Sequence, residues 1–157
     1  MRVRMATLKD VDVLVRARFD YFAAEKWELS NDEKTIISSQ LYKYYPEHLD
    51  RDFFAAFAED EDGKIASTAF LVINERPANL SWPTGKTGMV LNVLTYPEYR
   101  RRGYATKIMN LLIEEAKRQD LSYIELSASP HGKPLYEKLG FQESGVSDFT
   151  DMRLPLL

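Results

Sequence analysis

The sequence predicts an α/β fold of the α+β kind, a central sheet flanked by helices, and three observations predict it. Two apolar runs, Phe53 to Ala58 and Lys64 to Asn74, flank Glu59-Asp60-Glu61-Asp62-Gly63, which reads as a hairpin turn. A further apolar run, Thr87 to Thr95, leads through Tyr99-Arg100-Arg101-Arg102-Gly103-Tyr104-Ala105-Thr106 into a helical pattern that lasts to Gln119. Ser122 to Ala128 then alternates, with Ile124, Leu126 and Ala128 on one face, as a strand does.

The remaining elements follow in order. Val3 and Met5 suggest a short first strand. Thr7, with Asp10 three residues on, is an N-cap ahead of Leu8, Val11, Leu14, Val15, Ala17 and Phe19 at helical spacing. Trp27-Glu28-Leu29-Ser30 reads as a loop, and Asn31-Asp32-Glu33 opens a second helix carrying Ile36, Ile37, Leu41 and Tyr44, limited by Pro46. Glu75 to Lys86 is a loop punctuated by Arg76-Pro77 and Trp82-Pro83-Thr84-Gly85. After the basic turn, Ala105, Ile108, Met109, Leu112 and Ala116 form an apolar stripe. Lys133 to Leu139 is a short helix ended by Gly140, which suits the left-handed position beyond a helix C-terminus. Phe141 and the tail through Met152 to Leu156 are expected to form the last two strands.

Composition narrows the function. A chain of 157 residues with 45% hydrophobic residues is the size of one domain, 1–157, with a real core. No apolar run approaches the ~20 residues that span a bilayer, and the N-terminal residues lack the apolar stretch of a signal peptide. The chain has no cysteine, which removes disulfides, thiolate metal sites and a cysteine nucleophile, and makes a cytoplasmic protein without a metal the expectation. A net charge of -3 argues against a nucleic-acid-binding domain built on Arg100 to Arg102: the patch is short and the protein acidic.

The strand–turn–helix at 87–119 carries the chemistry. The first amides of a helix have no partner inside it and point at whatever lies in front of them. Gly103 admits a close backbone approach, and three arginines supply charge for a polyanion. No Gly-Lys-Ser/Thr or Gly-x-Gly-x-x-Gly is present. Arg100-x-x-Gly103-x-Ala105 resembles the Arg/Gln-x-x-Gly-x-Gly/Ala signature of the GNAT superfamily of N-acetyltransferases. Pro97 stands just upstream, as in many members. Leu135-Tyr136-Glu137-Lys138-Leu139-Gly140-Phe141 is close to the second family signature, Leu-Tyr-x-Lys-x-Gly-Phe. The resemblance runs from Thr87 to Phe141; before that it rests on element order.

The resemblance implies a mixed, mostly antiparallel sheet of about six or seven strands flanked by about four helices. It implies acetyl-CoA as co-substrate, with its pyrophosphate on the amides of Arg101 or Arg102, Gly103, Ala105 and Thr106, within a cofactor loop that also includes Arg100 and Tyr104. Pantetheine would lie along Val93, Leu94 and Thr95 like an added strand. A bulge in that strand would turn the amide of Val93 or Leu94 toward the thioester oxygen. Tyr136 would protonate the departing thiolate as general acid; the plainer reading is a core aromatic.

Ser129 stands where many members carry a cofactor-binding asparagine, a departure that a shorter hydroxyl only partly replaces. His131, close by, is read as structural or solvated. No general base is evident: Thr87 to Asn92 holds no carboxylate, Glu75 is read as a surface residue, and a water relay serves equally. Asn92 could line the acetyl site. The acceptor pocket is expected from the first two helices and the loop Glu75 to Lys86, where Tyr21, Phe22, Trp27, Tyr42, Tyr44, Tyr45 and Trp82 concentrate, although any one of them is more readily a core residue.

The function these readings imply is direct transfer of acetyl from acetyl-CoA to a primary amine, small-molecule or peptide, in a ternary complex. The alternative is a non-catalytic acyl-CoA-binding module or sensor on the same fold. Many family members dimerise, which leaves a homodimer open.

Overall fold

The computed structural model describes residues 1–145 and 147–157. They form two compact units, 1–127 and 128–157. The first holds β1 (Arg2–Met5), α1 (Val11–Ala24), α2 (Asn31–His48), β2 (Phe53–Glu59), β3 (Ile65–Glu75), β4 (Lys86–Thr95), α3 (Tyr104–Arg118) and β5 (Ile124–Glu125). The sheet runs β1-β2-β3-β4-β5. The first three pairings are antiparallel, and β5 joins β4 in parallel. The second unit contains α4 (Lys133–Lys138).

Local chemistry sets the boundaries. Thr7 caps a 3-10 turn that feeds α1: its Oγ1 accepts the Lys9 amide, and Asp10 Oδ2 accepts the Thr7 amide at 2.8 Å. Ser30 and Glu33 form the same reciprocal box at the start of α2, each side chain accepting the other's amide at 3.1 Å. One face of the sheet, with Phe53, Ala55, Phe57 and Phe70, buries Leu14, Val15 and Ala17 of α1 and Leu41 and Tyr45 of α2. α3 packs on β2 and β3, burying Ile108, Met109 and Leu112 completely. Each such side chain contributes roughly 1.5–3 kcal/mol by leaving water.

Three expectations are corrected. α2 continues through Pro46 to His48, because the missing N–H costs a single bond in the last turn and the Leu49 amide still donates to Tyr45 C=O at 2.9 Å. The strand expected at Ser122 to Ala128 pairs only at Ile124–Glu125. A bulge three residues beyond the paired Met89 bends β4 away from the line its neighbour follows. No strand forms after Glu125 among the described residues, so the sheet has five strands there. The tail has turn chemistry at Glu143-Ser144-Gly145 and Ser147-Asp148, and its unit provides no ladder. The part of that expectation falling on Val146 lies outside the described residues.

One charged cluster ties the sheet edge to the first helix. Arg4 Nε donates to Glu59 Oε1 at 2.6 Å, and its Nη1 and Nη2 donate to both Asp10 oxygens at 2.8 and 3.0 Å. Both acids are nearly buried. The Arg4 guanidinium holds the Asp10 carboxyl below the usual carboxylate range, against the opposing effect of burial. Arg4→Met strands two carboxylates and should cost about 2–3 kcal/mol at neutral pH in urea unfolding. Because the folded-state pKa of Asp10 is depressed, its contribution is full above the unfolded value of about 4 and fades as pH falls through the folded one. The gap between wild type and variant should therefore narrow below that pH; a constant gap would assign the loss to packing alone.

Candidate active site

β4 carries one residue more than β3 opposite it. Phe70 pairs with Leu91, yet Thr68 pairs with Leu94, so Asn92 and Val93 stand against Ala69 alone. Asn92 occupies the left-handed region at φ 55, which Asn tolerates better than most residues. It is 2% exposed and fully tied. Its Nδ2 donates to Ala17 C=O of α1 at 3.1 Å and to Thr68 Oγ1 at 3.3 Å. Its C=O accepts from Thr68 Oγ1 at 3.0 Å, and its Oδ1 accepts from Arg18 Nη1 at 3.4 Å.

The bulge changes which backbone groups face outward. Before it, the Gly88 amide donates to Tyr123 C=O on the β5 side. After it, the Tyr96 amide donates to Ala66 C=O on the β3 side. Alternation then turns Val93 and Thr95 to the side away from β3, where pairing with β5 ended at Met89, and turns Leu94 toward β3. Leu94 C=O accepts from Ser67 Oγ at 3.0 Å. Of the three residues expected along pantetheine, Val93 and Thr95 line this edge and Leu94 does not.

The turn after β4 is fastened at three points. Arg100 Nε donates to Thr95 C=O at 3.1 Å. Tyr96 Oη donates to Asp20 Oδ2 of α1 at 2.5 Å. Tyr99 Oη donates to Asp60 Oδ2 in the β2–β3 turn at 2.6 Å, a bond that pushes the phenol up to about 12. The backbone passes through left-handed Arg101 (φ 61) and Gly103 (φ 81) before α3 begins. The amides of Arg101, Arg102, Gly103, Tyr104, Ala105 and Thr106 donate to no group among the described residues. Arg101 and Arg102 are exposed, and Arg102 lies over the rings of Tyr99 and Tyr104 at 5.9 and 5.5 Å. Tyr104 is 4% exposed, so only its backbone faces outward.

In the second unit, Tyr136 packs edge-on against Phe141 with ring centroids 5.9 Å apart, below the left-handed Gly140 (φ 99). Ser129 Oγ accepts the Gly132 amide at 3.1 Å, which leaves its proton to donate. A Cβ on Gly132 would meet the Tyr136 ring at 3.0 Å. His131 is exposed.

Other candidates disperse. Glu75 is exposed and pairs with Lys86, six residues before Asn92, roughly 20 Å along the strand. The seven aromatic residues do not converge. Tyr21, Phe22 and Trp27 form one small group, Trp27 stacking on Phe22 at 5.3 Å and meeting Tyr21 edge-on at 6.3 Å. Phe22 and Tyr45 are buried in the core, and Tyr42 bonds Asp12. Tyr44 stacks on His48 at 4.2 Å, and Trp82 lies under the Arg76 guanidinium at 3.7 Å. An open depression of about 440 Å³ between α1 and α2 is lined by Phe19, Lys34, Thr35, Ser38 and Ser39, and by none of the seven. Asn92 anchors the bulge. Its isolation in an apolar strand is the signal that marks the bulge, whereas the ties made by Arg18, Asp20 and Asp60 leave no sequence signature.

A bulged strand, a basic turn and a helix N-terminus thus stand in this order. The model of the acetyltransferase (GNAT) family matches residues 19–141, and the chain belongs to that family. No functionally curated protein matches the sequence. Among solved structures, a predicted acetyltransferase from Clostridium acetobutylicum, determined with acetyl-CoA, is 29% identical with a TM-score of 0.82, over 97% of this chain and 95% of that one. A GCN5-related N-acetyltransferase from Ralstonia eutropha JMP134 shares the fold at 22% identity and TM-score 0.76, over 99% and 97%. Glucosamine-6-phosphate N-acetyltransferase from Arabidopsis thaliana shares it at 18% and 0.66, over 98% and 100%.

The ties of Asn92 give a graded expectation. Asn92→Ala loses two buried donor bonds and places a Cβ-bearing residue without a polar side chain at positive φ, for about 2–4 kcal/mol. Asn92→Gly loses the bonds without the strain and should be about 1 kcal/mol milder. Equal losses in thermal or urea unfolding would show that the backbone there is unstrained.

Proposed function

We propose that residues 1–157 act as one N-acetyltransferase domain, cytoplasmic as its lack of cysteine suggests, that moves acetyl from acetyl-CoA directly to a primary amine. The observation that carries this reading is the run of six amides, Arg101 to Thr106, that donate to no group among the described residues at the start of α3. They continue from an edge of β4 where Val93 and Thr95 face away from β3, with Thr95 C=O accepting from Arg100. The likeness to the Clostridium protein determined with acetyl-CoA supports the same co-substrate.

In this reading the pyrophosphate sits on the turn amides, and the exposed Arg101 and Arg102 neutralise it. Arg100 stabilises the turn through Thr95 as well as contributing charge. Pantetheine pairs with Val93 and Thr95. The Val93 amide, turned outward by the bulge, faces the thioester oxygen and stabilises the negative charge that grows there. The deprotonated amine attacks the thioester carbon, the C–S bond breaks, and the acetamide leaves with CoA. Tyr136 gives its phenolic proton to the thiolate, and the proton lost by the amine restores the phenol through solvent. Ser129 offers the cofactor its remaining hydroxyl proton. The chain supplies no cysteine for a covalent acetyl-enzyme, which favours direct transfer.

Calorimetric titration with acetyl-CoA tests the loop. Wild type should bind saturably, and Arg102→Glu with Gly103→Asp should lose about 100-fold, or ~2.7 kcal/mol. Absence of binding by a folded wild type would sink the proposal. Tyr136→Phe should lower kcat by about 10²-fold with acetyl-CoA affinity kept. Binding without CoA release for any amine would point to the sensor reading.

A further inference from the structure

Arg18 of α1 is a half-buried cation at the bulge. Its Nη1 donates to Asn92 Oδ1, and its guanidinium lies 4.8 Å from the centre of the Phe22 ring. Guanidinium carries five N–H donors; among the described residues Arg18 makes this one hydrogen bond and pairs with no carboxylate. The nearby carboxylate on the same helix, Asp20, is committed to Tyr96. Of the other half-buried arginines, Arg4 is paired with two acids, whereas Arg76 donates to the Thr87 and Tyr123 hydroxyls and lies over Trp82.

The placement is as informative as the missing partner. Asn92 holds Arg18 on the α1 side of the residue whose neighbour, Val93, turns to the open edge. The ring of Phe22 supports one side of the guanidinium and leaves its edge to meet a planar or tetrahedral anion through two parallel N–H bonds. A bare ammonium approaching this cation is repelled, whereas an amine that carries its own anionic group gains an ion pair in a partly desolvated place.

We propose that Arg18 selects the acceptor, and that the acceptor is a primary amine bearing a carboxylate or phosphate. This rests on the N-acetyltransferase reading above. Acceptor choice is set by one guanidinium at the bulge, and Arg18 acts by binding the substrate's anion, not the acetyl group.

The test measures CoA release with matched pairs. Glycine and β-alanine stand against glycinamide and ethylamine, and 2-aminoethyl phosphate stands against ethanolamine, for wild type, Arg18→Gln and Arg18→Lys. Acetyl-CoA titration and thermal unfolding accompany each variant. Wild type should favour the anionic members by about 10-fold or more in kcat/KM, and the better of the carboxylates and the phosphate identifies the source of the anion. Arg18→Gln should abolish the preference through KM while binding acetyl-CoA as wild type does, and Arg18→Lys should restore part of it. Equal use of charged and neutral amines, or no turnover of the anionic ones by a protein that binds acetyl-CoA, overturns the inference and leaves the cofactor assignment standing. A wild type that does not bind acetyl-CoA removes both.

Discussion

The left-handed Asn92 is the constraint on which the rest of the site depends. One extra residue in β4 is a cost unless its polar groups are satisfied, and here the side chain does that work in a 2% exposed position. Nδ2 reaches a helix carbonyl and a threonine hydroxyl, while that same hydroxyl donates back to Asn92 C=O. The bulge thus becomes a junction between α1, β3 and β4. It also reverses which backbone groups face outward beyond it. A regular strand would present Leu94 at the edge.

The turn beyond β4 is held by a different kind of bond. Two tyrosines whose phenols donate to aspartates fix it to the first helix and to the β2–β3 turn. Burial and Asp20 together push the Tyr96 phenol well above its ordinary range, and the bond to Asp60 does the same for Tyr99. Both phenols therefore remain protonated donors to their aspartates across the physiological range. Anchoring matters because the outward amides are useful only if they are already oriented. Arg101 and Gly103 adopt positive φ to aim them, a conformation the anchors on either side help to maintain.

Much of the framework could be read from sequence because it rests on local rules. The hairpin turn, the cap at Thr7, the stripe of α3 and the glycine after α4 each follow from residues within a few positions of one another, whereas the cap at Ser30 lies unread in a stretch that reads as loop. The family signatures located the turn and Tyr136 for the same reason. What else escaped was non-local. The aromatic residues of α1 and α2 looked like a pocket, but a helix face cannot be assigned to core or solvent without its partner, and Tyr45 and Phe22 went to the core. Pro46 looked like a stop because its proximity to the natural end of the helix was hidden. The tail from Phe141 has strand-like residues, yet a strand exists only by pairing, which composition does not report. Arg18 and Asp20 were unremarkable letters in an amphipathic helix until the fold set them 74 and 76 residues away against Asn92 and Tyr96.

α1 explains why these distant pairs can be exact enough to matter. Leu14, Val15 and Ala17 are sunk in the core, so the helix cannot slide without opening it. Ala17 lends its carbonyl to Asn92, and the small side chain lets the helix lie close to the sheet. Arg18 and Asp20, on the same turn, inherit that position. The packing that stabilises the domain therefore also places a cation and a carboxylate at the two ends of the bulged segment of β4. The carboxylate is spent on holding the turn. Among the described residues the cation keeps most of its donors, held at a fixed place beside the bulge.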